Sequence, residues 1–243
     1  FGVPHEYVKS DMSLLKEMYR VMVGKYLSPC IACSFLGYAV MLNYATKVDA
    51  AIGIHGRSEA QMFRNYAEDV DDVFKPFIEE GLKENPMSTD QLVQLILEKI
   101  EKLVDPMLAH KIKTNLLREG LEEGFREFVP FFLYHSYDQK EIIHTLISNT
   151  SWRVESEEEH FDCLIHHGAL YLKDMVARRS HLLPEYSFLI RSGKMTKQEA
   201  LCALSYKHDK VQSKKELKEL CKFSSLSYSK VMLKARIYHR RWW

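Results

Sequence analysis

A short, nearly all-apolar run that stops at a polar turn constrains the fold of this chain more than any other feature. Residues 49–54 read Asp-Ala-Ala-Ile-Gly-Ile, and His55-Gly56-Arg57-Ser58 follows before a helical pattern that begins at about Glu59. A continuous apolar run without polar alternation is typical of a strand in a parallel sheet, which is buried on both faces. Parallel strands need helical crossovers, so the sequence predicts an α/β fold with a parallel sheet.

The composition restricts the classes of protein and partner. The 243 residues are 46% hydrophobic, which suits one large domain or one domain with an appendage. Lys and Arg number 34 against 33 Asp and Glu, so nucleic acid is an unlikely partner without a local basic patch. No apolar run reaches the roughly 18 residues that a membrane span needs. The five cysteines are few and odd in number, a pattern that favours a cytoplasmic location.

The remaining pattern is mostly helical. We predict an α/β domain over residues 1–160, with a helical insertion at about 70–124, and a helical C-terminal region over residues 161–243. The insertion is predicted from an apolar stripe at helical spacing that includes Leu92, Ile96 and Ile100.

Three further predictions concern a strand, two cysteines and the start of the chain. A second strand is predicted at Val129–Tyr134, with Pro130 near its start. Cys202 and Cys221 stand beside leucines in amphipathic helices and are expected to pack in the core. The chain opens Phe1-Gly2-Val3-Pro4 without a Met, so we expect an earlier part to be missing from it.

The run Pro29-Cys30-Ile31-Ala32-Cys33 is the sharpest local motif. Two thiols three residues apart at a helix start can chelate one metal, and the helix N-terminus favours the thiolate. A single such pair is compatible with redox chemistry, zinc or an iron–sulfur cluster, and the alternative is two inert buried thiols. Cys163, in a short polar segment, is a candidate third ligand, and His160, His166 and His167 flank it.

The turn at His55-Gly56-Arg57-Ser58 is the first candidate ligand site by position. In open α/β sheets, ligands bind where a strand ends and a helix begins. Backbone N–H groups at a helix N-terminus favour anions, and Arg57 can pair with a phosphate. The alternative is a simple turn with a solvated arginine.

Several motifs follow one another in an order that is similar to that of a known protein family. In chain order the motifs are Pro29-Cys-x-x-Cys33, the strand, Gly56-Arg57-Ser58-x-x-Gln61-Met62-Phe63, Tyr134-x-x-Tyr137-Asp138 with Trp152, Asp162-Cys163 with Tyr171, and Leu189–Leu201. This order resembles the PP-loop ATP pyrophosphatases, in particular the N-acetyl sugar amidotransferase branch of bacterial surface-polysaccharide synthesis. The resemblance covers most of the chain except roughly Val70–Gly124.

The resemblance implies a fold, a reaction and a set of site residues. The fold would be a sheet of the adenine-nucleotide hydrolase type, and the activity an ATP-dependent, adenylate-forming amidotransfer onto a sugar or nucleotide-sugar. Mg²⁺ would accompany ATP, and a separate glutaminase subunit would supply ammonia. By position, His55, Gly56, Arg57, Ser58 and Gln61 would line the nucleotide side of the cleft. The three cysteines at 30, 33 and 163 would match those that hold zinc or an iron–sulfur cluster in thiolating relatives.

The sequence departs from that family at one decisive motif. The signature phosphate loop, Ser-Gly-Gly-Lys-Asp-Ser, does not occur in these 243 residues. Two other functions therefore stay open: a PP-loop sulfur transferase acting on tRNA or a small molecule, and a non-catalytic, metal-stabilised interaction module. The substrate, the metal and the oligomeric state are not predicted by the residues.

Overall fold

The computed structural model describes residue 7 and residues 11–68, 88–116, 127–135, 138–152, 163–205 and 209–238. The strand expected near His5, the acidic segment that ends at Asp162, and parts of the predicted insertion lie outside the described residues.

The described part of the chain is a helix-rich α/β structure with a small two-stranded parallel sheet. The elements in chain order are α1 Met12–Tyr26, α2 Cys30–Lys47, β1 Ile52–His55, α3 Glu59–Glu68, α4 Thr89–Leu103, α5 Pro106–Leu116, β2 Glu127–Pro130, α6 Phe131–Tyr134, α7 Gln139–Asn149, α8 His166–Ala177, α9 Leu183–Arg191, α10 Lys197–Leu204, α11 Lys210–Phe223 and α12 Tyr228–Ile237. The prediction of an α/β fold with parallel pairing is confirmed at this level.

Local chemistry at the helix starts explains where several of these helices begin. The Asp11 carboxylate accepts from the backbone N–H groups of Ser13 and Leu14, which have no partner inside α1. Ser88 and Thr196 each open a helix with a capping box, in which the side chain at the third helical position bonds back to the cap. The stripe predicted for α4 is buried, since Leu92, Ile96 and Ile100 are almost fully enclosed.

The two strands run parallel, with Ile52 opposite Glu127 and His55 opposite Pro130. The prediction of a strand over Val129–Tyr134 is wrong in its bounds, because β2 ends at Pro130 and residues 131–134 form a helical turn. Pro130 has no N–H for a continuing ladder, and it stands at the cap position of the turn that follows.

Among the described residues, one face of the sheet is buried and the other is exposed. Phe128 is fully buried, whereas Ile52 and Ile54 on the opposite face of β1 are 51% and 66% exposed. The apolar run was expected to be a strand buried on both faces, and this part of the prediction is wrong.

The core lies between α1, α2, α4, α5 and the C-terminal helices α8, α11 and α12. Its largest enclosed side chains include Met18, Met22 and Phe35. Cys221 is buried there, as predicted, but Cys202 is exposed. Ala200 is the buried residue of α10, and Cys202 lies on the exposed side of the same helix. None of the helices in the described residues is long and apolar enough to cross a membrane.

Candidate functional site

The turn between β1 and α3 is held by a reciprocal cap. The backbone N–H of Ser58 donates to Gln61 Oε1 at 3.0 Å, and the Gln61 N–H donates to Ser58 Oγ at 3.2 Å. Ser58 is buried. Two of the residues predicted to line a nucleotide site therefore hold the start of α3 and position the turn.

His55 is the last residue of β1, and its imidazole lies between the sheet and α2. Its ring centre is 5.9 Å from that of Phe128, edge to face, and 6.2 Å from that of Tyr38. The Arg57 backbone N–H donates to His55 Nδ1 at 3.0 Å, so in this tautomer the ring proton is on Nε2. Burial, with a smaller contribution from the Arg57 guanidinium, lowers the pKa of His55 to about 4. The imidazole is therefore neutral at pH 7.

Aromatic rings border the turn on the side of β2. A Cβ placed on Gly56 would lie 3.9 Å from Phe132 Cε2, so the turn and α6 are in contact range. Phe131 and Tyr134 are exposed on the same short helix, and Phe131 stacks on His135 with ring centres 4.7 Å apart. The region just after the two strands thus contains the half-buried Arg57, the neutral imidazole of His55 and the exposed rings of Phe131 and Tyr134.

A cluster of thiols lies at the start of α2. Cys30 is the first residue of the helix, Cys33 is one turn on, and Cys163 precedes α8. Both Cys30 and Cys163 interact electrostatically with Cys33, which brings the three predicted cysteines into one neighbourhood. All three are free thiols, Cys30 half-buried and the other two exposed.

Tyr19 completes this cluster. Its hydroxyl lies 2.8 Å from the Cys33 sulfur, and its buried ring packs edge-on against Phe223. Burial raises the pKa of the Tyr19 hydroxyl, and the neighbouring Cys33 adds to the rise. Although Cys33 as a residue is exposed, partial desolvation of its thiol raises the pKa of that group, while the hydrogen bond with Tyr19 opposes the rise. A buried tyrosine one helix away carries no sequence signal as a partner of a thiol.

The thiol cluster and the turn lie toward the same end of the α/β layer. The short segment 48–51 joins the end of α2 to the start of β1, and Tyr38 in mid-helix meets His55 at the carboxyl end of β1, so the helix runs antiparallel to the strand. At a rise of about 1.5 Å per residue, the helix start lies about 12 Å beyond Tyr38 in that direction. Residues 30–33 therefore project toward the edge of the sheet where the turn lies.

The donor chemistry of the three cysteines suits a soft metal, but their geometry in this structure does not form a chelate. Among the described residues, no three side chains of His, Cys, Asp or Glu are arranged to hold a metal ion. The metal centre at Cys30, Cys33 and Cys163 therefore stays a prediction.

Arg64, which follows Gln61 on α3, lies outside the turn. Its Nη1 donates to Glu185 Oε2 at 2.6 Å, and this largely buried ion pair joins α3 to α9. The same pair of helices also brings the rings of Phe63 and Phe188 to 5.2 Å. The role of Arg64 is thus to tie two helices together.

The chain matches no protein-family model, no curated protein and no solved structure.

Proposed function

We propose that this protein is an ATP-dependent, adenylate-forming amidotransferase that acts on a sugar. The observation that carries the proposal is the placement of the His55–Ser58 turn at the carboxyl end of a parallel strand, with α3 starting directly after it. Ligands of open α/β folds bind at this position, and the start of a helix favours a phosphate. The resemblance of the motifs to the sugar amidotransferases supplies the reaction.

The reaction has two balanced steps. A carbonyl or carboxyl oxygen of the sugar attacks the α-phosphorus of Mg²⁺-bound ATP, and pyrophosphate leaves. Ammonia then attacks the adenylated carbon, AMP leaves with the oxygen, and the nitrogen releases a proton to solvent. In the amidotransferase branch a separate glutaminase subunit provides the ammonia.

The residues of the turn have distinct roles in this proposal. Arg57 provides the cation that pairs with the nucleotide phosphate. His55 is neutral, and its Nε2–H donates a hydrogen bond to the ligand without adding a positive charge. Ser58 and Gln61 hold the turn through their reciprocal cap, and the exposed rings of α6 provide a surface on which adenine stacks.

A PP-loop sulfur transferase is the second candidate, and the thiol cluster is the observation that favours it. Sulfur transfer to an adenylated carbon needs a sulfur donor near the nucleotide, and Cys30 and Cys33 project toward the same end of the sheet as the turn. In that case Cys30→Ser abolishes thiolation but leaves nucleotide binding intact. In the amidotransferase, the same substitution leaves both nucleotide binding and amidation in place.

The test is binding of AMP to the full 243-residue chain by isothermal titration calorimetry. AMP is the probe because it carries the adenine and the α-phosphate but does not need the Ser-Gly-Gly-Lys-Asp-Ser loop. Arg57→Ala removes a charge-assisted contact of about 1.5–3 kcal/mol, so it is expected to weaken AMP binding by about 10- to 150-fold. Arg236→Ala, an exposed arginine of α12, is the matched control and is expected to bind like the wild type. Absence of binding at millimolar AMP, or equal affinity of the Arg57 and Arg236 variants, contradicts the proposal.

A further inference from the structure

We propose that Cys30 and Cys33 form a reversible dithiol–disulfide site that exchanges with small disulfides such as glutathione disulfide. The proposal rests on the position of the two thiols in the first turn of α2 and on the contact of Cys33 with Tyr19. It does not depend on the nucleotide chemistry of the turn.

The helical spacing brings the two cysteines within bridging range. Residues three apart on a helix are neighbours on one face. Their α-carbons lie about 5 Å apart, inside the range of about 4.4–6.8 Å that a disulfide spans. Cys30 is the first residue of α2, and Pro29 stands at its cap without a side-chain hydrogen bond. A bridge in the first turn of a helix therefore needs little movement of the backbone.

Tyr19 distinguishes the two sulfurs from each other. Its hydroxyl contacts Cys33 at 2.8 Å, and the Tyr19 ring is fixed by burial against Phe223. The contact stabilises the reduced sulfur, because a disulfide sulfur is a weaker hydrogen-bonding partner and must turn toward Cys30. Tyr19 is thus a positioning residue that shifts the equilibrium toward the dithiol.

The exchange balances in two steps. The Cys30 sulfur attacks glutathione disulfide, which forms a mixed disulfide and releases one glutathione. The Cys33 sulfur then attacks the Cys30 sulfur of the mixed disulfide, which forms the intramolecular bond and releases the second glutathione. Two protein thiols are oxidised, one glutathione disulfide is reduced, and the two protein protons end on the two released glutathiones.

Cys163 is the competing thiol. It interacts electrostatically with Cys33 but comes from the segment before α8, so a bridge to it must join two separate parts of the chain. Cys202 is exposed on α10 and belongs to no thiol cluster in the part of the chain that the structure describes, which makes it the matched control.

The experiment equilibrates the full chain in glutathione buffers of graded redox ratio, alkylates the remaining thiols, and identifies the bonds by intact mass and peptide mapping. The wild type and Cys202→Ser are expected to lose two alkylation sites and to yield a peptide with Cys30 bonded to Cys33. Excess dithiothreitol is expected to restore both sites. Cys33→Ser is expected to stop at a mixed disulfide on Cys30. A stable mixed disulfide on Cys30 in the wild type, a bridge to Cys163, or five alkylated thiols at every ratio would each overturn the proposal.

Tyr19→Phe tests the positioning role with a readout that folding alone does not move. It removes the hydroxyl and keeps the ring, so at a fixed glutathione ratio the ratio of disulfide to dithiol is expected to rise about 5-fold. Tyr26→Phe on the same helix removes a hydroxyl that donates to the Leu103 carbonyl at 2.7 Å and is expected to leave that ratio unchanged. An equal change in both variants, or no change in Tyr19→Phe, would overturn the role of Tyr19. Failure of the disulfide to form leaves AMP binding unaffected, so the two proposals fail separately.

Discussion

The backbone N–H of Gly168 donates to Glu216 Oε2 at 2.8 Å, a contact between residues 48 apart in the chain. Gly168 lies in the first turn of α8, and Ile165 at the cap position offers no side-chain acceptor. The buried Glu216 of α11 therefore provides the cap that α8 lacks, with its second oxygen held by Gln212. A carboxylate at a helix N-terminus is also favoured by the helix dipole.

Gly168→Ala is expected to destabilise the protein by about 1–3 kcal/mol. An added Cβ would lie 3.1 Å from Glu216 Cβ and 3.1 Å from the backbone nitrogen of Leu217, so the two helices must move apart. Gly37→Ala is the control, because a Cβ on that residue of α2 meets nothing within 4 Å. Alanine is the better helix former, so this control is expected to gain about 0.5–1 kcal/mol. Urea unfolding measures both changes, and equal stability of the two variants would contradict the packing argument.

Glu216→Ala is expected to cost about 2–3 kcal/mol, since it leaves the buried N–H of Gly168 without its acceptor. Glu216→Gln keeps an acceptor oxygen and loses only the charge, so its expected cost is about 1 kcal/mol. Glu219→Ala, at an exposed position on the same helix, is the control and is expected to change stability by less than about 0.5 kcal/mol. Thermal or urea unfolding of the three variants gives their order of stability. If Glu216→Gln is as unstable as Glu216→Ala, the charge of Glu216 contributes more to stability than its hydrogen-bond acceptor does.

Local chemistry explains what the sequence could predict. The caps Asp11, Asp138 and Thr196 act on backbone groups a few residues away, so their types and spacing are enough to place helix starts. The strand before His55 was also found from its apolar run, and the turn after it from its position.

Long-range contacts explain what the sequence could not predict. The partnership of Tyr19 with Cys33, and of Arg64 with Glu185, depends on how separate helices pack, and no periodicity records it. The exposure of Ile54 was missed because an apolar strand has the same composition whether one face of its sheet is covered or both.

The Arg64–Glu185 pair is expected to contribute to the packing of α3 on α9 as a coupled unit. The two side chains are only 18% and 14% exposed, so removing one leaves the other partly desolvated without its partner. Arg64→Gln and Glu185→Gln are each expected to cost about 2–3 kcal/mol, and the double variant less than their sum. A double-mutant cycle by urea unfolding measures the coupling. The control is a double-mutant cycle on the exposed pair Lys113–Glu101, whose charged atoms are 3.8 Å apart. The coupling energy of this pair is expected to be less than about 0.5 kcal/mol.

The neutral imidazole of His55 predicts a loss of stability in acid. Its pKa falls from 6.5 to about 4 on folding, so between these values the unfolded chain binds the proton that the folded chain excludes. The stability that the folded protein gains by keeping His55 neutral is fully present above pH 6.5 and is lost as the pH falls toward 4. Since His55 is partly exposed, we expect a loss of about 1–3 kcal/mol rather than the full value of the shift.

The measurement is urea unfolding of the wild type and His55→Asn between pH 7.5 and 4.5. Asparagine offers an oxygen near the position of Nδ1 for the Arg57 N–H but does not titrate. The variant is therefore expected to lose less stability than the wild type over this range. His110→Gln, which removes an exposed histidine of α5, is expected to follow the wild-type curve. Parallel curves for the wild type and His55→Asn would show that the imidazole is not held neutral by its surroundings, and would remove the uncharged donor from the proposed nucleotide site.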